Sequence, residues 1–319
     1  MPPGSQLSDC DLAKLQKWVN DGAPNNWFRF SEMFFQKILW NEEQENFSVA
    51  DIDKIFSDKK KDFVFATFKG TRLVNFHTVE TAGKRTLEFR VAHRFGDLSS
   101  GAYGFFGLDG PANLNLSLNY SYNGKLEIGI SRTSMDKLYS GYLKYKLLRQ
   151  TTNNKTPATI TLLSEMNTNG LKSASTAHPE YAYFVDRFSY VHQIMIARKF
   201  SDAFSIQLAP TLVHYNLMYN LTDQNDIYSV VGMGRIKISK RTALTGEYCY
   251  RINNYSADFL SYHNSLGFGM DLETGGHVFQ FFFTNSFGIN EAQTIPFTKG
   301  DITKFELKLG FNISRVFSI

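Results

Sequence analysis

The residues to test first for chemistry are seven histidines: His77, His93, His178, His192, His214, His263 and His277. No two of them stand at i, i+4, and none lies in a His-Glu-x-x-His pattern, so no metal ligand set is expected. They are expected at aromatic girdles, turns or a polar interior. His263 and Ser265 are two apart, which puts both on one face of a strand within reach of each other. A hydrolase also needs a group to orient the histidine and an oxyanion device, and neither is evident. The glycines Gly101, Gly104, Gly107 and Gly110 in SSGAYGFFGLDGP suggest a phosphate cradle. No Gly-Lys-Ser/Thr follows, so a folded loop that caps or enters the domain is expected, packed down by Phe105, Phe106 and Leu108. Glu42, Glu43, Glu45, Asp51 and Asp53 lack calcium-loop spacing and read as a solvated helix face. Cys10 and Cys249 are the only cysteines and match no metal or redox spacing. The chain is therefore read as a non-enzyme with no metal and no cofactor-binding site of its own.

The remaining charged residues have a geometry in common. Arg85–Phe95 alternates Leu87, Phe89 and Val91 with Glu88, Arg90 and Arg94. Lys125–Arg132 sets Leu126, Ile128 and Ile130 opposite Glu127. In Thr303–Phe317, Phe305, Leu307, Leu309, Phe311 and Ile313 face away from Lys304, Glu306, Lys308, Asn312 and Ser314. Lys144, Lys146, Glu165, Arg235, Lys237, Glu247, Arg251 and Asp271 likewise project opposite apolar neighbours. A period of two is the signature of strands with one face apolar.

About twelve such segments follow one another. They cover 84–96, 112–122, 124–133, 137–150, 156–168, 184–199, 203–218, 226–239, 241–254, 261–273, 275–288 and 302–317. Val64–Glu80 reads as another strand or two with broken alternation. Tight turns at Asn123-Gly124, Ser201-Asp202, Lys240 and Thr274-Gly275 alternate with longer connections at 96–111, 167–183, 219–225, 254–261 and 288–301. The exceptions are the short 133–136 and the middling 151–156. Loops sorted to one rim and turns to the other are the pattern of a transmembrane β-barrel.

Composition narrows the class. The chain has 319 residues with 34 basic and 30 acidic side chains, a net charge of +4 too small and dispersed for a nucleic-acid partner. Aromatics are 15% of the chain, which suits strands. Mean hydropathy is −0.27, and no run of about 18 apolar residues offers a transmembrane helix. MPPGSQLSDCDL lacks the basic start and apolar core of a signal peptide. Before residue 60 the pattern is helical. Ser8 caps a stretch whose Leu12, Leu15, Trp18 and Val19 share a face, and Gly22 and Pro24 end it.

A soluble β-sandwich binding module alternates too. Its turns recur about every 8–12 residues, whereas these segments recur about every 20. A tilted membrane strand needs about 9–11 residues, which these provide. Phe95, Tyr120, Tyr122, Tyr248, Tyr250, Phe305 and Phe317 stand near segment ends, where rings with polar tips form girdles. The expected fold is an all-β antiparallel transmembrane barrel of about 12 strands (12 to 14) behind a small helical N-terminal segment. An even strand count puts both barrel ends on the tight-turn, periplasmic side.

Two resemblances add to this reading. MPPGSQLSDCDLAKLQKWVNDGAPNN, residues 1–26, resembles the closing segment of a cytochrome c domain, where a Met-Pro-Pro supplies the axial methionine. Met1 takes that place, or is a start within a longer reading frame. No Cys-x-x-Cys-His occurs, so haem c is implied only with an attachment motif upstream. FATFKGTRLVNFHTVET, LEFRVAHRFGD, YGFFGLDGPANLNLSLNYSYNGKLEIGISRT and YLKYKLLRQ resemble an uncharacterised outer-membrane β-barrel family, the domain of unknown function fifty-seven seventy-seven, over residues 63–319. Residues 27–62 are left as a helical linker.

The expected function is a narrow, porin-like channel for small polar solutes, with Arg90, Arg94, Lys144, Lys146, Glu247 and Arg251 setting charge selectivity. The implied partners are outer-membrane lipid and a periplasmic cytochrome c or other redox partner. The alternatives are a structural or electron-transfer anchor without transport, or the soluble sandwich.

Overall fold

The computed structural model describes residues 63–171, 183–218, 223–253 and 262–319. The cytochrome c-like stretch with Met1 and Cys10, the acidic helix face and His178 lie outside these residues.

Twelve strands form one closed antiparallel barrel. They are β1 (Thr86–Asp97), β2 (Asn113–Ser121), β3 (Leu126–Thr133), β4 (Tyr139–Leu148), β5 (Thr159–Thr168), β6 (Phe188–Lys199), β7 (Phe204–Tyr215), β8 (Asp226–Lys237), β9 (Thr242–Arg251), β10 (Ser265–Thr274), β11 (His277–Thr284) and β12 (Lys308–Ser318). Each strand pairs with its sequence neighbour, and β1 closes on β12 from Thr86↔Ser318 to Asp97↔Lys308. No strand edge is left open, the condition for a sheet in lipid.

Each of the twelve segments expected in the wall holds a strand, the last beginning six residues later than expected, at Lys308. Loops and turns sort to opposite rims as expected. At the tight-turn rim, Asn123 Oδ1 accepts from the amides of Lys125 (2.9 Å) and Leu126 (2.8 Å). Gly124 takes φ +74° there, a conformation that costs glycine little.

The barrel is inside-out relative to a soluble protein. Arg94, Glu127 and Lys144 are wholly buried, while Ile130 is 61% and Leu208 53% exposed. The outer faces of the strands form a continuous apolar surface, which soluble monomers do not carry. That excludes the sandwich and places hydrocarbon outside.

Two elements fill the interior. Residues 63–66 meet the β4–β5 connection at the rim, with a Phe63↔Thr151 bridge, and residues 67–82 then fold back inside the barrel, with Phe68, Leu73, Val74, Phe76 and Val79 at 2% exposure or less. Within them 71–78 form a hairpin, with Leu73 N–H to Phe76 O (3.0 Å), Thr78 N–H to Thr71 O (2.9 Å) and an Arg72↔His77 bridge. The broken alternation of Val64–Glu80 belongs to this plug and not to a wall strand. The second element is α1 (Glu291–Phe297), in the β11–β12 connection. Asn290 caps it by accepting from Gln293 N–H (3.0 Å), and Glu291 through Pro296 are all buried.

The loop 98–112 corrects an expectation. Phe105 and Phe106 adopt left-handed backbone and stand 57% and 53% exposed, with Leu108 at 39%. The loop is pinned by its glycines instead. Gly107 has φ +85° against the Gly96 carbonyl, and a side chain there would collide with it.

Candidate functional site

The inner wall has two halves. From β1–β4 and β9–β12 it presents Glu88, Arg90, Arg94, Glu127, Lys144, Lys146, Glu247, Arg251, Asp271 and Lys308, each under 8% exposed. Glu165 on β5 and Arg235 on β8 join this set. Between them, Leu163, Val191, Met195, Ala209, Val213, Ile227, Val231 and Met233 make an apolar wall that packs with Phe68, Leu73, Phe76 and Val79 of the plug.

The charged half holds the plug by its backbone. Both oxygens of Glu247 accept amides at the hairpin tip, from Asn75 (2.8 Å) and Val74 (3.0 Å). Arg94 Nη2 donates to Val74 O (2.9 Å) and Asn75 Oδ1 (3.0 Å), and its guanidinium lies 4.3 Å from the centre of the Phe282 ring. Asn312 Nδ2 donates to Leu73 O (3.0 Å) and Val74 O (3.1 Å). Gln207 takes the Val79 amide (2.7 Å) and gives to His77 O (2.8 Å). Glu127 accepts from Ala82 N–H (2.7 Å) and from the Tyr142 hydroxyl (2.9 Å). Lys144 donates to the carbonyls of Glu80 and Thr71, Lys146 pairs with the Glu80 carboxylate (3.0 Å), and Glu88 accepts from the Thr71 hydroxyl (3.0 Å). A hairpin with few ladder bonds of its own is thus satisfied by the strands around it, as buried backbone requires.

Plug, wall and α1 meet at one ionic cluster. Arg72 Nη2 lies 2.9 Å from Glu291 Oε2, 2.8 Å from His77 Nε2 and 3.7 Å from Glu165 Oε2. His77, Glu165 and Glu291 are a possible metal ligand set, their ligand atoms within 4.8 Å of one another. The Arg72 guanidinium already fills the cation's place and also bonds Asn75 O (2.6 Å). The donor set therefore fits a buried ion cluster better than a metal.

Of the residues expected in the lumen, twelve are there. Lys237 is half-buried where β8 meets the tight-turn rim. Lys304 and Glu306 are not in the lumen. Asp301 caps a 3₁₀ turn, Ile302–Lys304, and Phe305 is left-handed, so the strand begins only at Lys308. Glu306 turns back to accept the Asp301 amide (2.8 Å), and Lys304 is exposed at that turn. The Asp301 carboxyl is held below its ordinary value by the Thr303 hydroxyl and amide that donate to it. Two further outward residues take girdle positions, His93 stacked on Phe311 and His277 beside Phe279. Ser265 Oγ is buried without a hydrogen-bond partner, so it forms no pair with His263. A serine–histidine contact does exist, between Ser164 and His192.

The match to known families is decided by residues 68–317, which fit the family described as Membrane bound beta barrel domain (DUF5777). The chain belongs to this family. The fitted stretch begins inside the plug and runs through the wall to the penultimate residue of β12. Among solved structures, the NanC porin is similar at 8% identity and a TM-score of 0.43, over 73% of this chain and 99% of that one. The KdgM porin is similar at 7% and 0.42, over 73% and 99%. An outer membrane protein of Acinetobacter baumannii is similar at 6% and 0.43, over 74% and 100%. No curated protein matches the chain.

Proposed function

We propose that this DUF5777 barrel is an outer-membrane, porin-like channel for small polar solutes, closed here by residues 67–82 and opened by displacement of that plug. One observation carries the reading. The charged half of the wall grips the plug through side chain-to-backbone hydrogen bonds from Glu247, Arg94, Lys144 and Asn312, so a shifted hairpin leaves a charged, water-compatible passage. Arg90 supports it, since its Nε and Nη1 hold no partner in the closed state.

A second reading, a non-conducting membrane anchor, is favoured by the apolar half. Phe68, Leu73, Phe76 and Val79 each gain about 1.5–3 kcal/mol by burial, so full withdrawal exposes about 6–12 kcal/mol of apolar contact. A channel must therefore open by sliding the hairpin along the wall. The cytochrome c-like residues 1–26 support a periplasmic redox partner under either reading.

Planar-bilayer recording separates the two. Asn75 Nδ2 touches Thr284 Oγ1 at 3.1 Å, so Asn75→Cys with Thr284→Cys, in a chain lacking Cys10 and Cys249, ties plug to wall. The channel reading expects voltage-dependent openings that stop on oxidation and return on reduction. Silence of the untied barrel at every voltage sinks it in favour of the anchor.

A further inference from the structure

The two rims of the barrel differ in charge. On the tight-turn side, the chain entering β1 carries Lys84 and Arg85, the β2–β3 turn Lys125, the β4–β5 connection Lys155, and the β8–β9 turn Lys240 and Arg241. All six are exposed, and none is paired with an acid among the described residues. The acids of this rim among the described residues are Asp202 and Glu273. Each is already held by a lysine, Asp202 by Lys199 at 3.2 Å and Glu273 by Lys69 at 2.7 Å. The loop rim has no such bias. One connection there holds Lys299, Asp301, Lys304 and Glu306, and Lys308 pairs with Asp97 at 3.0 Å.

Height is the second feature. Three arginines near the tight-turn rim lie against aromatic rings. Arg149 is 4.2 Å from the centre of the Phe63 ring and 5.2 Å from that of Phe65, Arg198 is 5.3 Å from Phe200, and Arg315 is 4.9 Å from Phe317. Arg198 and Arg315 point outward from β6 and β12, since their neighbours Ala197 and Ser314 face the lumen at 1% and 9% exposure. Aromatic girdles mark the boundary between hydrocarbon and water, and an arginine stem laid on apolar surface carries its charge to that boundary. The positive charge of this rim therefore stands at the height of lipid headgroups, outside the wall.

The third feature is distribution. Counting the flanking strand ends, the β10–β11 turn at Gly275-Gly276 is the one tight-turn connection without a lysine or arginine. A protein partner docks on one patch of about 800 Å². A belt that runs round the circumference matches the annulus of lipid around a barrel instead.

We propose that the tight-turn rim is an annular binding surface for anionic phospholipid, its lysines and arginines holding the headgroup phosphates of the leaflet that meets these turns. Asp202 and Glu273 are occupied, so the rim offers nothing to the cation of a zwitterionic headgroup, and lipids of net negative charge are selected. The attraction of one basic side chain to an anionic leaflet is worth about fivefold in association.

The full chain in phosphatidylcholine vesicles tests this, with a trace of spin-labelled phosphatidylglycerol or of spin-labelled phosphatidylcholine. The motionally restricted fraction of each label gives their relative association with the barrel. A preference of about fivefold for phosphatidylglycerol is expected, falling toward one in about 1 M salt, where screening acts within about 3 Å. Lys84→Gln, Arg85→Gln, Lys125→Gln, Lys155→Gln, Lys240→Gln and Arg241→Gln together are expected to cut the preference to less than half. Arg132→Gln with Lys137→Gln, at the loop rim, is expected to keep it. Unchanged heat-modifiable gel mobility verifies that both variants fold. Equal association of the two lipids with the native barrel, or an equal loss in both variants, overturns the proposal. Equal association together with saturable binding of poly-L-glutamate would give the rim to an acidic protein and also overturn it. The measurement reads lipid at the outer wall and no current, so its failure is distinct from failure of the channel reading.

Discussion

Glu247 and Asn75 meet end-on inside the barrel, the carboxylate of β9 receiving the amide at the tip of the plug hairpin at 2.8 Å. Its other oxygen takes the Val74 amide. Glu247→Ala leaves two buried donors unmet at about 1–3 kcal/mol each. A loss of about 2–5 kcal/mol of hairpin stability is expected, read as faster amide exchange at Val74 and Asn75. Glu247→Gln keeps one acceptor and is expected to lose about half as much.

Arg72 ties together three elements that share no backbone pairing: the hairpin, β5 and α1. Arg72→Met removes the cation and strands Glu165 and Glu291, both buried. Breaking a buried ion pair from one side costs about 3–5 kcal/mol. Adding Glu291→Gln removes one stranded charge, so the double variant is expected to unfold in detergent at a higher temperature than Arg72→Met alone. A double variant that is the less stable of the two would mean that the pair does not couple plug to α1.

Cys249 is a native reporter of the plug. Its thiol is 1% exposed on the inner face of β9 and belongs to the apolar cluster that holds Phe68 and Phe76. In a Cys10→Ser chain, a membrane-impermeant maleimide is expected to label it only when the hairpin moves. Every 1.4 kcal/mol of loosening raises the open population about tenfold, so Glu247→Ala is expected to label at least about tenfold faster. Equal rates would place the barrier elsewhere than the hairpin tip.

The wall was legible because lipid on one side and buried polar groups on the other impose a strict period of two. Leu114, Leu116 and Leu118 against Asn115, Ser117 and Asn119 suffice to place β2. The plug was not legible, since a hairpin satisfied by tertiary partners carries no period of its own. One trace of it was the broken alternation of Val64–Glu80. A second trace lay in β6, where Val191 and Met195 on the inner parity answer Tyr190, Ile194 and Ile196 on the outer. A strand apolar on both faces is covered on both, and in a barrel that means something fills the lumen. Lys304 and Glu306 misled for the opposite reason. The alternation of KFELKL runs through a capped turn, where Asp301 and the left-handed Phe305 override the pattern.

That same turn gives a prediction about acid. Asp301 accepts from the Thr303 amide (2.9 Å) and hydroxyl (2.7 Å), and these bonds favour its charged form. A carboxyl lowered in the folded state stabilises fully above its ordinary value of 3.8. The contribution fades as pH falls through the lower folded value. The turn returns the chain from α1 to β12, so its loosening frees the loop on the long-loop rim without opening the barrel wall. Thr303 amide protection is expected to hold at neutral pH and to drop in acid below the ordinary aspartate range. Asp301→Asn still accepts at its amide oxygen but cannot titrate there, so its Thr303 protection is expected to be insensitive to pH over that window. A wild-type profile that matches Asp301→Asn would show that the cap is not ionised in the folded barrel.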